Sequence, residues 1–129
     1  MNKELEEKLV EKYPQLYAQY GGDMRQTCMA WGMTCGDGWY KIIEELSEKL
    51  SKFEGVQAAQ VKEKFGGLRF YVDGTTQENY KEVHKIISEY EQLSYKTCES
   101  CGEVGEARQG GWIRTLCDKC EEERVTRLK

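Results

Sequence analysis

Gln60-Val-Lys-Glu-Lys-Phe65-Gly66-Gly67-Leu68-Arg-Phe-Tyr-Val72 is the stretch that decides the fold. Apolar and polar residues alternate on both sides of a Gly-Gly pair, the pattern of two strands joined by a tight turn. Gly66-Gly67 supplies the positive φ that a two-residue hairpin turn needs, and the hairpin is expected over 56–73. Pairing across that turn sets Phe65 against Leu68, Glu63 against Phe70 and Val61 against Val72 on one face. This is the core face, with Glu63 its odd member, a carboxylate placed near water at a strand end or buried with a raised pKa. The other face sets Lys64 against Arg69, Lys62 against Tyr71 and Gln60 against Asp73. Like charges directly opposite one another cost stability unless a negative group lies between or beside them. On an acidic chain, Lys62, Lys64, Arg69 and Tyr71 are therefore the best local candidates for holding an anion or phosphate. The plainer alternative is a solvated sheet face whose charges meet water or nearby acids.

Upstream the period becomes helical. Leu5, Leu9 and Val10 share a face between Asn2 and Lys12. Pro14 interrupts, and Leu16, Tyr17 and Tyr20 continue in a short turn to Gly21-Gly22. Residues 23–36 have no clear period and read as loop with one short strand. Asp37 is placed to cap a helix that carries Trp39, Ile42, Ile43, Leu46, Leu50 and Phe53 and ends at Gly55. Downstream, Thr75-x-x-Glu78 reads as a capping box for a helix with Tyr80, Val83, Ile86, Ile87, Tyr90 and Leu93 on its apolar stripe. His84, the single histidine, falls beside that stripe and is expected partly buried in a structural role.

In Trp31-x-x-x-Cys35-Gly-Asp-Gly-Trp39, glycines and aromatics can rim a pocket, with Trp39 stacking on a base. The plainer reading makes Trp39 a core residue beside a helix start. Cys28 and Cys35 lack metal-like spacing and are expected as buried thiols.

Cys98-Glu-Ser-Cys101 and Cys117-Asp-Lys-Cys120 form two pairs separated by fifteen residues, the spacing of a four-thiolate zinc site. The competing reading is two disulfides. The start, MNKELEEKLVEK, is charged and helical rather than a signal peptide, so a reducing cytoplasm is expected. Gly110-Gly111 can turn a short hairpin with an outgoing strand from Trp112 to Leu116, and Trp112 is expected to pack over the module. The segment after Cys117 looks helical to about Leu128. A knuckle, a hairpin and a helix carrying the second pair are the parts of a treble clef. The expected fold is α+β: a helical core with a central hairpin over 1–95, and a treble-clef-like zinc module with structural Zn2+ over 96–129.

The chain has 129 residues and a formal charge of −4, with a pI near 5.2. One domain with a metal-stapled appendage fits that length. No apolar run approaches the length that spans a bilayer. The acidic balance disfavours a generic nucleic-acid binder without excluding a local basic patch. With one histidine, a catalytic zinc or a Cys–His nucleophile has little support, so no catalytic residue is assigned. Fourteen aromatic residues are more than one small core readily covers, which favours a homo-oligomer.

Three separated segments, Cys35-Gly-Asp-Gly-Trp39, Gln60 to Tyr71, and Cys98-x-x-Cys101 through Gly111-Trp-Ile-Arg-Thr-Leu-Cys117, together resemble a family of small, mostly uncharacterised proteins of bacteriophages and prophages. The resemblance covers residues 31–120 and implies the cytoplasm of an infected or lysogenic bacterium. Some members end the last motif with histidine, where this chain has Cys120. The resemblance implies no specific activity, but small phage proteins of unknown role are often counter-defence factors, and one strategy of such factors is to sequester nucleotide signals without cleaving them. The leading expectation is a non-enzymatic binder that sequesters a nucleotide-like anion, or that blocks a host defence protein. Lys62, Lys64 and Arg69 would neutralise phosphate while Tyr71 or Trp39 stacks on a base. The alternative is a nucleic-acid-associated accessory or regulatory protein with a structural zinc finger. A treble-clef nuclease is disfavoured, because this module lacks the histidine or clustered acids that such chemistry uses.

Overall fold

The structure, a computed structural model, describes residues 1–110 and 112–128. Helix α1 (Lys3–Lys12) starts at Asn2, whose side-chain oxygen accepts from Leu5 N at 2.9 Å. A 3-10 turn over Cys28–Trp31 leads to a two-residue strand β1 (Met33–Thr34), and a second over Asp37–Trp39 leads into α2 (Tyr40–Leu50). Strands β2 (Gln57–Lys64) and β3 (Gly67–Asp73) form the expected hairpin, followed by α3 (Tyr80–Ser94). The C-terminal module contains β4 (Glu106–Arg108), β5 (Arg114–Leu116) and α4 (Asp118–Leu128). The fold is α+β, and no described helix is long and apolar enough to cross a membrane.

The main sheet has the order β1-β2-β3, with β1 parallel to β2 and β3 antiparallel to it. Leu9, Met33, Trp39, Ile43, Val61, Leu68 and Val83 are among the residues that bring the helices and this sheet into one core. Burying such side chains contributes roughly 1.5–3 kcal/mol each. One polar pair lies inside: the Tyr17 hydroxyl meets Ser47 Oγ at 2.5 Å, and Ser47 donates to Ile43 O. Burial pushes the Tyr17 phenol pKa up. Helix α3 runs beside β3, where Ser94 Oγ accepts from Leu68 N at 2.9 Å. That bond satisfies a strand N–H that would otherwise be buried without a partner.

The hairpin turns one residue earlier than expected. Lys64 pairs with Gly67, Glu63 with Leu68, Lys62 with Arg69, Val61 with Phe70 and Gln60 with Tyr71. The register shifts between Ala58 and Gln60, so Asp73 faces Gln57 rather than Gln60. The two turn residues are Phe65 and Gly66, at φ +53° and +83°, as in a type I′ turn. Gly67 serves packing instead, since a Cβ there would lie 2.5 Å from the Tyr95 ring. Because the turn moves by one residue, every pairing partner changes while the membership of each face does not. Val61, Glu63, Leu68 and Phe70 still share one face, and Lys62, Lys64, Arg69 and Tyr71 the other.

Phe65 holds a left-handed conformation that disfavours side chains with a Cβ, yet it is 65% exposed and gains little burial there. Phe65→Asn is expected to raise stability by about 1 kcal/mol, because asparagine tolerates this region far better. A denaturant midpoint unchanged or lowered by the substitution would contradict that.

Local boundaries differ from expectation in two places. Asp37 does not cap its own helix; Gly36 stands at that position without a side-chain bond. The Asp37 carboxylate instead accepts from Asn2 N at 2.6 Å and so ties α1 to the start of α2. The box ahead of α3 forms at Thr76 and Asn79, whose side chains bond each other's backbone N–H at 2.8 and 3.2 Å, rather than at Thr75 and Glu78.

Candidate functional site

The knuckle Cys98–Gly102 is a tight turn in which Gly102 N donates to Cys98 O at 2.9 Å and Cys98 N donates to Glu103 O at 2.7 Å. Strands β4 and β5 pair antiparallel, and Leu116 delivers the chain to Cys117. Cys117 caps α4: its sulfur accepts from Cys120 N at 3.4 Å, one turn into the helix. Knuckle, hairpin and helix therefore follow the treble-clef order. Gly111, the second residue of the expected Gly-Gly turn, lies outside the described residues.

The sulfurs of Cys98, Cys101, Cys117 and Cys120 all lie within 4.8 Å of one another. The Cys101 and Cys117 sulfurs are 3.6 Å apart, far beyond the roughly 2.05 Å of a disulfide, and all four cysteines are free thiols. The group can hold one metal ion. Burial pushes the Cys98 thiol up, but backbone N–H groups of Cys117, Cys101 and Ser100 outweigh it and bring the pKa down to about 7. Burial and the neighbouring sulfurs push Cys120 up to about 12. Backbone N–H groups thus favour the thiolate at Cys98, whereas burial and crowding disfavour it at Cys120, where a bound cation would offset the cost.

The module is fastened to the core by all three motifs singled out in the sequence. Gly38 N donates to Glu99 O at 2.7 Å, Gly36 N to Glu99 Oε2 at 2.8 Å and Trp39 Nε1 to Thr97 O at 2.9 Å. From the module, Glu99 N donates to Thr115 O at 2.9 Å, and Thr115 Oγ1 donates to Gly66 O in the hairpin turn at 2.6 Å. Glu99 sits at the centre, buried, with Oε1 lying 3.5 Å from Arg114 Nε but making no hydrogen bond. Burial raises the Glu99 carboxyl pKa, partly offset by Gly36 N–H and Arg114.

Trp112, Cys28 and His84 lie elsewhere than expected, while Trp39, Cys35 and Glu63 take the plainer places open to them. Trp39 is fully buried with its indole N–H engaged, so it presents no ring face to a ligand. Trp112 is 67% exposed and does not cover the module; its carbonyl accepts from Arg124. Cys28 is exposed on its 3-10 turn, whereas Cys35 is buried and burial pushes its thiol up to about 12. His84 is exposed rather than partly buried, its ring centroid 4.2 Å from that of Tyr80. Glu63 sits beside the turn, where it accepts from Gly66 N at 2.8 Å.

On the cationic face, Lys62 lies directly opposite Arg69. The negative group that this juxtaposition demands is Glu91 of α3, whose Oε1 lies 2.9 Å from Arg69 Nη1. Among the described residues, Lys62 and Lys64 have no carboxylate within 4.0 Å. Lys62 Nζ lies 6.0 Å from the centre of the half-exposed Tyr71 ring, at the outer limit of a cation–π contact. Arg69 and Tyr71 also line a cleft between β3 and α3 together with His84, Ser88 and Glu91.

Glu91, Glu99 and Thr115 carry structural roles that no motif announced. The need for a counter-charge beside Arg69 was the one available signal for Glu91. Compared with known proteins, the chain matches no family model, no curated protein and no solved structure.

Proposed function

We propose that this is a zinc-stapled, non-enzymatic binding protein whose hairpin face takes a phosphate-bearing, nucleotide-like ligand. Four thiolates are the donor set that structural zinc favours. A tetrahedral ion with Zn–S bonds of about 2.3 Å would set its sulfurs about 3.8 Å apart, close to the 3.6 Å between Cys101 and Cys117. The zinc has no open position in such a set, which supports a structural role over a catalytic one.

The observation that carries the binding reading is the pairing of Lys62 with Arg69. Glu91 balances and orients the guanidinium, while Lys62 keeps an uncompensated charge beside an exposed tyrosine. Arginine offers five N–H donors in a planar fork, so one ion pair leaves others for phosphate. The resemblance to phage and prophage proteins supports a counter-defence setting, in which such binding sequesters a host nucleotide signal.

Thermal-shift measurements with cyclic di- and trinucleotides, nucleoside phosphates and ADP-ribose test the reading. Lys62→Ala and Arg69→Ala are expected to abolish the shift, with the ligand recovered chemically intact. A ligand at one hundred times its Kd stabilises by about 2.7 kcal/mol, a readily seen effect. Absence of any shift across the panel, or cleavage of the ligand, would refute the proposal.

A further inference from the structure

We propose that the cleft between β3 and α3 seats a single nucleoside monophosphate, its base between Tyr71 and His84 and its phosphate on Lys62 and Arg69; this rests on the anion-binding reading above. The cleft measures about 290 Å3, at the small end of the range for small-molecule sites. That volume suits one ring system with its sugar, not two stacked nucleotides.

The two walls supply different chemistry. Tyr71 projects from the strand wall and His84 from the helix wall, and both are exposed. Packing of Tyr80 against His84 restrains the imidazole. Aromatic side chains on both walls of one cleft favour a flat ring, because every base presents a π-face. Ser88 and Glu91 add a hydroxyl and a carboxylate to the same lining. Both can bond sugar hydroxyls or an exocyclic amine, whereas an ionised carboxylate, which only accepts, gives a bare phosphate no hydrogen bond. Glu91 has a double part, since its contact with Arg69 also orients the guanidinium that would meet phosphate. Ile87, largely buried, provides apolar floor. A planar ring, hydroxyls and one phosphate together use each of these groups; phosphate alone makes no use of the aromatic faces.

Isothermal titration of the metal-loaded full chain with the four ribonucleoside monophosphates, inorganic phosphate and a cyclic dinucleotide tests this. At least one monophosphate is expected to bind tenfold or more tighter than inorganic phosphate. Tyr71→Ala and His84→Ala, both at exposed positions, are each expected to reduce that ratio severalfold, as loss of one base–aromatic contact would. Equal affinity for monophosphates and phosphate, or a ratio unmoved by both variants, overturns the cleft assignment and leaves the anion site standing. Binding of the cyclic dinucleotide alone has the same consequence. Failure of every probe to bind overturns both.

Discussion

On the zinc reading proposed above, Cys98→Ser, or a strong chelator, is expected to release one metal ion per chain, unfold the C-terminal module and lower the stability of the core to which it is fastened. The module has little else to hold it: Cys98 and Leu116 are its only buried apolar residues among those described. Two such side chains contribute a few kcal/mol, whereas ordering about thirty residues costs more than that many times over. In zinc-finger peptides the apparent free energy of structural zinc binding, roughly 10–16 kcal/mol at pH 7, is already net of the cost of folding, so metal–thiolate bonding rather than an apolar core is what holds a module of this kind. The effect should travel inward because Gly36, Gly38, Trp39 and Gly66 spend hydrogen bonds on module groups. Each such bond contributes about 1 kcal/mol, and more is lost when its partner leaves a buried group unsatisfied. The measurement is metal content by elemental analysis alongside hydrogen exchange. Amides of Gly36 and Gly38 should lose protection when zinc leaves. Retention of one zinc by Cys98→Ser would sink the four-thiolate assignment, and unchanged protection at both glycines would sink the coupling to the core.

Acid should act in the same direction as chelation. Zinc binds thiolates, so protons compete with it, and metal affinity falls as pH falls. Backbone N–H groups lower the Cys98 thiol and so oppose its protonation, whereas burial and the neighbouring sulfurs raise Cys120.

What could be read along the chain was whatever depends on neighbours in sequence. Helices α1, α2 and α3 announce themselves through apolar spacing, and the four cysteines through two short turns. The faces of the hairpin were also legible, because moving the turn by one residue exchanges partners without inverting the pleat. Placement of the turn itself was not, since Gly66 and Gly67 look alike in sequence and do different work. Gly66 takes the positive φ, while Gly67 makes room for Tyr95. Trp31 and Trp39 pose the same difficulty. Both stand near glycines, yet Trp31 is 67% exposed and Trp39 fully buried. What separates them is a bond from Trp39 to Thr97, a residue more than fifty positions away, and no local pattern encodes such a contact. The cationic face was visible in outline, but its cleft was not, because His84, Ser88 and Glu91 reach it only through the docking of α3 on β3.

The glycines of Cys35-Gly-Asp-Gly-Trp39 allow a close approach, as expected, but to the module rather than to a ligand. A Cβ on Gly38 would lie 2.3 Å from Cys98 O and 2.6 Å from both Glu99 O and Gly102 N. All three atoms belong to the backbone of the metal-binding knuckle, so no side chain can swing aside to admit a methyl group. Gly38→Ala is therefore expected to cost at least about 3 kcal/mol, the upper part of the usual range for overpacking, and to weaken zinc binding. Gly21→Ala provides the contrast. Gly21 lies at φ +73° with nothing within 4 Å of the added Cβ, so only the left-handed conformation is penalised, by roughly 1–2 kcal/mol. Denaturant melts with a competing zinc chelator separate the two. Gly21→Ala should shift the melt and leave zinc affinity alone, because its strain is local to a loop distant from the sulfurs in sequence and contacts. Gly38→Ala should shift both, because relief of its clash requires Cys98 and Gly102 to move away from the Asp37–Trp39 turn. Equal effects from the two substitutions would mean that the knuckle yields easily, and that the core and the metal centre are folded independently.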